Sequence, residues 1–156
     1  SRLDEGYGMN SEAINKIANQ NVNLIITVDN GISAIEEIEY ANSLGIDVVV
    51  TDHHLPKDQL PNAIAVIDPH RKDCDLEFKD YAGVGVAFLL AIAISESSPE
   101  TMLLKYSDLV ALGTVADVMP LKYENRSIVW YGLRKINYKA TKCPHCTSEI
   151  PEEAAE

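Results

Sequence analysis

Two short runs of β-branched and aliphatic residues constrain most strongly what this chain can build. Leu24-Ile25-Ile26-Thr27-Val28 is a continuous apolar segment of strand length, and Ile46 to Thr51, apolar but for Asp47, reads as a second buried strand, the pattern of strands covered on both faces. Asp29-Asn30-Gly31 breaks the first run. Ser33 and Glu36 stand at capping-box spacing and predict a helix through Leu44, which Gly45 terminates. A third run, Ala63 to Ile67, ends at Asp68-Pro69. Strand, helix and strand in such quick succession imply a right-handed crossover and a parallel sheet.

Around this unit the periodicity is helical. Ser11 to Gln20 sets Ala13, Ile14, Ile17 and Ala18 on one face. Beyond Phe78, Val84 to Glu96 reads as one apolar helix. Thr101 to about Val115 reads as another, with Leu103, Leu104, Leu109, Val110 and Leu112 as its expected core. The fold class is therefore α/β: a parallel sheet with flanking helices and a helical C-terminal half. Doubly wound sheets ordinarily open with a strand, whereas this chain opens on Arg2-Leu3-Asp4-Glu5-Gly6-Tyr7-Gly8. The expectation is a domain whose first strand and helix are missing.

At 156 residues and 46% hydrophobic, the chain can form one packed domain without staples. A boundary is expected near Ala140, which leaves 1–140 as the domain and 141–156 as an acidic tail. Three cysteines, Cys74, Cys143 and Cys146, cannot form a fully paired disulfide framework, which suits a reducing compartment. The apolar stretch Tyr81 to Ile94 is 14 residues, too short for a membrane helix. The expectation is a soluble, cytoplasmic protein with no membrane partner.

The net charge of −11 argues against a general nucleic-acid binder, but its distribution is uneven. Residues 1–119 hold 7 Lys/Arg against 19 Asp/Glu. Between Pro120 and Lys142 the balance reverses, with six basic residues (Lys122, Arg126, Arg134, Lys135, Lys139 and Lys142) against Glu124 alone. An acidic body could hold divalent cations while a basic segment meets a phosphate backbone; a solvated helix after an acidic domain is the plainer reading.

Ligands of open parallel sheets bind at the carboxyl ends of the strands. Asp29 ends the first strand, Asp52-His53-His54 the second and Asp68 the third. Taken singly, each has an ordinary explanation. Asp29 before Asn-Gly is a turn former, Asp52 could serve backbone amides, and paired loop histidines are usually solvated. Their joint placement at successive strand ends points instead to a shared cation pocket, where carboxylate and imidazole suit Mn²⁺, Fe²⁺ or Zn²⁺ and Mg²⁺ would prefer oxygen alone. Gly83-Val84-Gly85 has the first two glycines of a dinucleotide fingerprint, but Phe88 stands where the third belongs. The pair reads as close packing. Asp68-Pro69-His70-Arg71 reads as an exposed turn, with a phosphate-contacting base as the alternative.

Val28-Asp29-Asn30-Gly31-Ile32, Thr51-Asp52-His53-His54 and Leu112 to Leu121, which includes Gly113-Thr114-Val115-Ala116-Asp117, resemble in order and spacing the motifs of the DHH phosphoesterase superfamily. Arg2…Glu5-Gly6-Tyr7-Gly8, Ala82 to Phe88 and Glu124-Asn125-Arg126 are similar to motifs of its RecJ-type branch. That branch comprises single-strand-specific 5′-to-3′ DNA exonucleases of repair and recombination. The resemblance runs from Arg2 to about Ile136. It implies a two-metal site using Mn²⁺ or Mg²⁺, with single-stranded DNA as partner and, in the cell, other repair or replication proteins. By resemblance Asp29 would bridge the metals, and His53 and Asp117 would ligate one of them. His54 would face the scissile phosphate, and Asp52 would orient the imidazoles. Arg126 would contact the substrate backbone, and Asn125 beside it would also bind substrate.

The superfamily's Asp-x-Asp motif and its Gly-Gly-His lobe have no counterpart here, so the expectation is weak or absent hydrolysis by this chain alone. Two competing readings are a relative acting on short oligonucleotides or small phosphates, and a degenerate protein- or DNA-binding module. The tail, Cys143-Pro144-His145-Cys146, resembles one knuckle of a zinc ribbon. It offers Cys143 and Cys146 for a Zn²⁺ that needs four ligands. Cys74 and His145 could complete the set only awkwardly, and a partly disordered end is expected.

Overall fold

The structure, a computed structural model, describes residues 8–136. Its elements run α1 (Ser11–Ala18), β1 (Leu24–Val28), α2 (Ile35–Ser43), β2 (Asp47–Thr51), β3 (Ala65–Ile67), α3 (Gly83–Ile94), α4 (Pro99–Ala116) and α5 (Tyr123–Lys135). The three strands form one parallel sheet in the order β1-β2-β3, as the strand–helix–strand spacing requires. Among the described residues no helix is long and apolar enough to cross a membrane. The tail with Cys143, His145 and Cys146, and the Arg2–Tyr7 stretch, lie outside the described residues.

Sheet alternation sorts the side chains. Val48 and Val50 of β2, both 0% exposed, pack with Ile14 of α1 and with Ile38 and Ala41 of α2. Ile25 of β1 joins them at the margin. On the other face Ile67 meets Phe78, Tyr81 and Val86 at the start of α3. β1 departs from the expectation of a strand covered on both faces. Among the described residues it lies at the edge of the sheet, and Leu24, Ile26 and Val28 are 43, 50 and 45% exposed. A run of apolar residues reports an apolar strand, not how many neighbours it has.

The turn into α2 also differs from the expected capping box. Ala34, not Ser33, is the N-cap, with no side-chain cap bond. Gly31, at φ +110, makes a turn closed by Ala34 N–H donating to the Gly31 carbonyl at 3.0 Å, which moves the helix start one residue along. At the far end Gly45 stops the helix as expected. At φ +76 it donates to the Asn42 carbonyl while Ile46 N–H reaches the Ala41 carbonyl, the paired bonds of a Schellman motif.

The helical half packs through small residues. In α4 the buried face is Met102, Ser107, Asp108, Val110, Ala111 and Thr114. Of the leucines expected in that core, Leu104, Leu109 and Leu112 are 70, 40 and 53% exposed, while Val110 is buried and Leu103 lies at the margin of its cluster. The reason is the close approach of α5. A Cβ on Gly132 would lie 2.2 Å from the Ser107 carbonyl oxygen and 2.4 Å from the Ala111 Cβ, so the seam has no room for leucine. Gly132→Ala should therefore lower stability by roughly 1–3 kcal/mol through overpacking, despite alanine's better helix propensity; denaturant unfolding measures it.

Candidate metal centre

The strand ladder sets three carboxylates side by side. Backbone bonding continues one residue past the strands. Asp29 N–H donates to the Thr51 carbonyl at 3.1 Å, and Asp52 N–H donates to the Ile67 carbonyl at 3.0 Å. Asp29, Asp52 and Asp68 thus occupy successive steps across the carboxyl edge of the sheet.

The middle acid is 1% exposed and saturated with hydrogen bonds. Its Oδ2 accepts from Ile32 N–H at 2.9 Å. Its Oδ1 accepts from His53 N–H at 2.8 Å and from the His54 ring at Nδ1, 2.7 Å away. Burial by itself raises the Asp52 pKa, but the bonds from Ile32, His54 and His53 outweigh it and hold the carboxyl below its ordinary value. An ionised carboxylate only accepts, so His54 donates from Nδ1 and keeps the Nε2 lone pair for a ligand. The Asp52 hydrogen bond raises the His54 pKa.

His53 turns inward. Its Nε2 lies 2.9 Å from Asp29 Oδ1 and 3.4 Å from Asp117 Oδ2, with the imidazole side chain 9% exposed. Neither His53 Nε2 nor Asp29 Oδ1, both buried, has a hydrogen-bond partner. Ligand atoms of Asp29, His53 and His54 all fall within 4.8 Å of one another. Buried lone-pair atoms this close, unbonded, and from carboxylate and imidazole together, fit a divalent cation between them. The wall of a cleft of about 360 Å³ beside them includes Asp29, Gly31, Ile32, Asp52 and His54.

Backbone geometry aims these groups. Asp29 is left-handed at φ +63, a conformation that aspartate tolerates better than most residues. The first turn of α3 closes on its side chain: a Cβ on Gly83 would fall 2.4 Å from Asp29 Cβ and 2.5 Å from Oδ1. Gly83 is the position whose importance to the site the sequence reading missed. The expectation of close packing there holds, but not the identity of what it packs against. Asp117 is the C-cap of α4. Val118 behind it sits at φ +56 with its side chain 87% exposed. Met119 N–H bonds to the Thr114 carbonyl and Val118 N–H to that of Val115. The same double bond that closes α2 thus fixes Asp117, here with valine where glycine is usual.

Two expected assignments change. Asn125, read as substrate-binding, is 1% exposed, and its Nδ2 donates to the Asp80 carbonyl at 2.6 Å and the Pro120 carbonyl at 3.1 Å. It ties the approach to α3 to the loop beyond Asp117, so it positions the site and cannot meet a strand. The Asp68 turn is not exposed either. Asp68 is 4% exposed, and Oδ1 accepts from His70 N–H at 2.7 Å while burial raises its pKa. Arg71, the alternative phosphate contact, donates to Asp73 at 2.9 Å and to the Val66 carbonyl. Arg126 is exposed on α5 and bonds to none of the site residues.

Residues 3–114, well over half of the chain, match the DHH family, N-terminal domain. The chain belongs to the DHH family. Among its curated relatives, the single-stranded-DNA-specific exonuclease RecJ of Escherichia coli (strain K12) is 45% identical over 154 residues, covering 92% of this chain and 26% of the relative. The RecJ of Bacillus subtilis (strain 168) is 46% identical over 135 residues, covering 86% of this chain and 17% of the relative. This DHH chain thus spans about a quarter or less of the length of these relatives. A crystal structure of exonuclease RecJ bound to manganese superposes with a TM-score of 0.74 at 40% identity, covering 86% of this chain and 34% of that one.

Two outcomes test this geometry. Gly83→Ala should keep the circular dichroism of the DHH domain but displace Asp29, weakening Mn²⁺ binding by at least tenfold in calorimetry. Because Asp52 has a depressed native pKa, its stabilisation is complete above the unfolded value of about 4 and disappears as pH falls through the native value. Asp52→Asn should therefore flatten the acid limb of stability below about pH 4 and lower stability at pH 7.

Proposed function

We propose that this chain carries the cation-binding half of a metal-dependent nuclease that hydrolyses single-stranded DNA from the 5′ end. The observation that supports it most directly is the unbonded pair of Asp29 Oδ1 and His53 Nε2, 2.9 Å apart, at the strand end where a DHH domain carries its signature residues. Asp29, His53 and Asp117 hold a cation, Mn²⁺ fitting the mixed ligand set better than Mg²⁺. When bound, the cation supplies Lewis-acid polarisation of a phosphoryl oxygen and a lowered pKa for water.

The protein's own groups do the rest. Asp52 holds both imidazoles by their backbone amides and fixes the His54 tautomer, so that Nε2 of His54, whose side chain is 58% exposed, faces the substrate phosphate. Asn125 and Gly83 keep α3 and the loop beyond Asp117 in place around the carboxylates. The compact group of three ligating side chains and Asp117 is a small set for two cations, so turnover by this chain alone is expected to be slow. RecJ as the parent activity is supported by relatives more than 40% identical.

The test combines binding and turnover. Calorimetric titration with Mn²⁺ should give a saturable heat that Asp29→Ala and His53→Ala each reduce at least tenfold. Labelled single strands in Mn²⁺ should then be shortened from the 5′ end, slowly and only with Asp29 intact, while duplexes persist. Mn²⁺ binding indifferent to both substitutions would overturn the proposal, as would faster cleavage of dinucleotides than of long strands.

A further inference from the structure

α5 separates its residues by face. Asn125, Ile128, Val129 and Gly132 are buried. On the outside, Lys122 at the N-cap, Arg126, Trp130 and Arg134 follow one another at four-residue steps, all exposed, and so form one stripe along the helix. Trp130 is 53% exposed, the Arg134 guanidinium lies 4.6 Å over its ring and Tyr131 meets it edge-on at 4.8 Å. Lys135, by contrast, is spent on Asp108 at 2.9 Å and on the Lys105 carbonyl at 3.0 Å. Lys122, Arg126 and Arg134 have no carboxylate partner among the described residues, although the chain as a whole carries a charge of −11.

Unpaired cations at regular spacing around an accessible indole are complementary to a polyanion with flat rings. We propose that the outer face of α5 is a docking track for single-stranded nucleic acid, with Lys122, Arg126 and Arg134 on its phosphates and a base stacked on Trp130. The guanidinium–indole stack holds the ring in place before the base arrives. The stripe extends about 18 Å along the helix. Lys122 follows Asp117 by five residues, a separation of at most about 18 Å. A strand seated on the track therefore has its Lys122 end within about 18 Å of Asp117. This extends the nuclease reading by naming where the strand lies, but the docking needs no cation, so the two can fail separately.

Trp130 is the only tryptophan in the chain, which makes its fluorescence a local reporter. With the full chain in chelator, a thymidine oligonucleotide should quench Trp130. Log affinity should fall with log salt at a slope of about −2, the value for three phosphate contacts on a single strand. The double variant Arg126→Ala/Arg134→Ala should weaken binding at least tenfold and bring the slope to about −0.7. By anisotropy of a labelled oligonucleotide, Trp130→Ala should lose between about 5- and 150-fold, and Trp130→Phe distinctly less. Absence of quenching would overturn the track, as would affinity unchanged in the double variant. A Trp130 signal that shifts with protein concentration alone would assign the face to a second copy instead. Quenching that survives alongside failure of Mn²⁺ binding would leave the track standing and remove the nuclease reading.

Discussion

One buried carboxylate organises the carboxyl edge of the sheet. Asp52 receives N–H groups from Ile32 on one side and from His53 and His54 on the other, joining the turn after β1 to the end of β2. Without it, those buried amides would lose their partners and the two histidines their directions, one inward to Asp29 and Asp117, the other outward. An uncompensated carboxylate at this depth would be costly. Saturated as it is, the same group is a rigid bracket. The geometry of the site therefore rests on a residue whose own oxygens are taken up by internal hydrogen bonds.

Asp29 and Asp117 reach the same imidazole from opposite directions in the chain, one from a strand end and the other from a helix end. Both rely on backbone conformations with positive φ, at Asp29 itself and at Val118 directly after Asp117. Such conformations persist where surrounding structure over-determines them. Here the surroundings are the sheet ladder, the first turn of α3 and the paired amide bonds that close α4.

Much of this was legible in the linear sequence for a simple reason: strand runs are short and their ends are marked by acids. Asp29, Asp52 and Asp68 could be placed in a row from the spacing of apolar residues, and the resemblance added Asp117. What stayed hidden depends on partners distant in the chain. Asn125 looks like a polar surface residue until the carbonyls of Asp80 and Pro120 close over it. Leu104, Leu109 and Leu112 look like core until α5 comes so near that only Ser107, Ala111 and Gly132 fit between the helices. The exposed side of β1 could not be foreseen either, because an apolar run is the same at the edge of a sheet as in its middle.

Three glycines connect parts that appear separate. Gly132 seats α5 on Ser107, Gly113 seats α4 against Val84, and Gly83 seats α3 on the side chain of Asp29. At each junction the atoms are already nearer than an added methyl would allow, so no slack is available to absorb a shift. Elements fitted this way behave as a row of blocks pressed edge to edge. A shift of the last helix would have to be taken up contact by contact through α4 and α3, and the side chain that would receive it, three elements away, is Asp29.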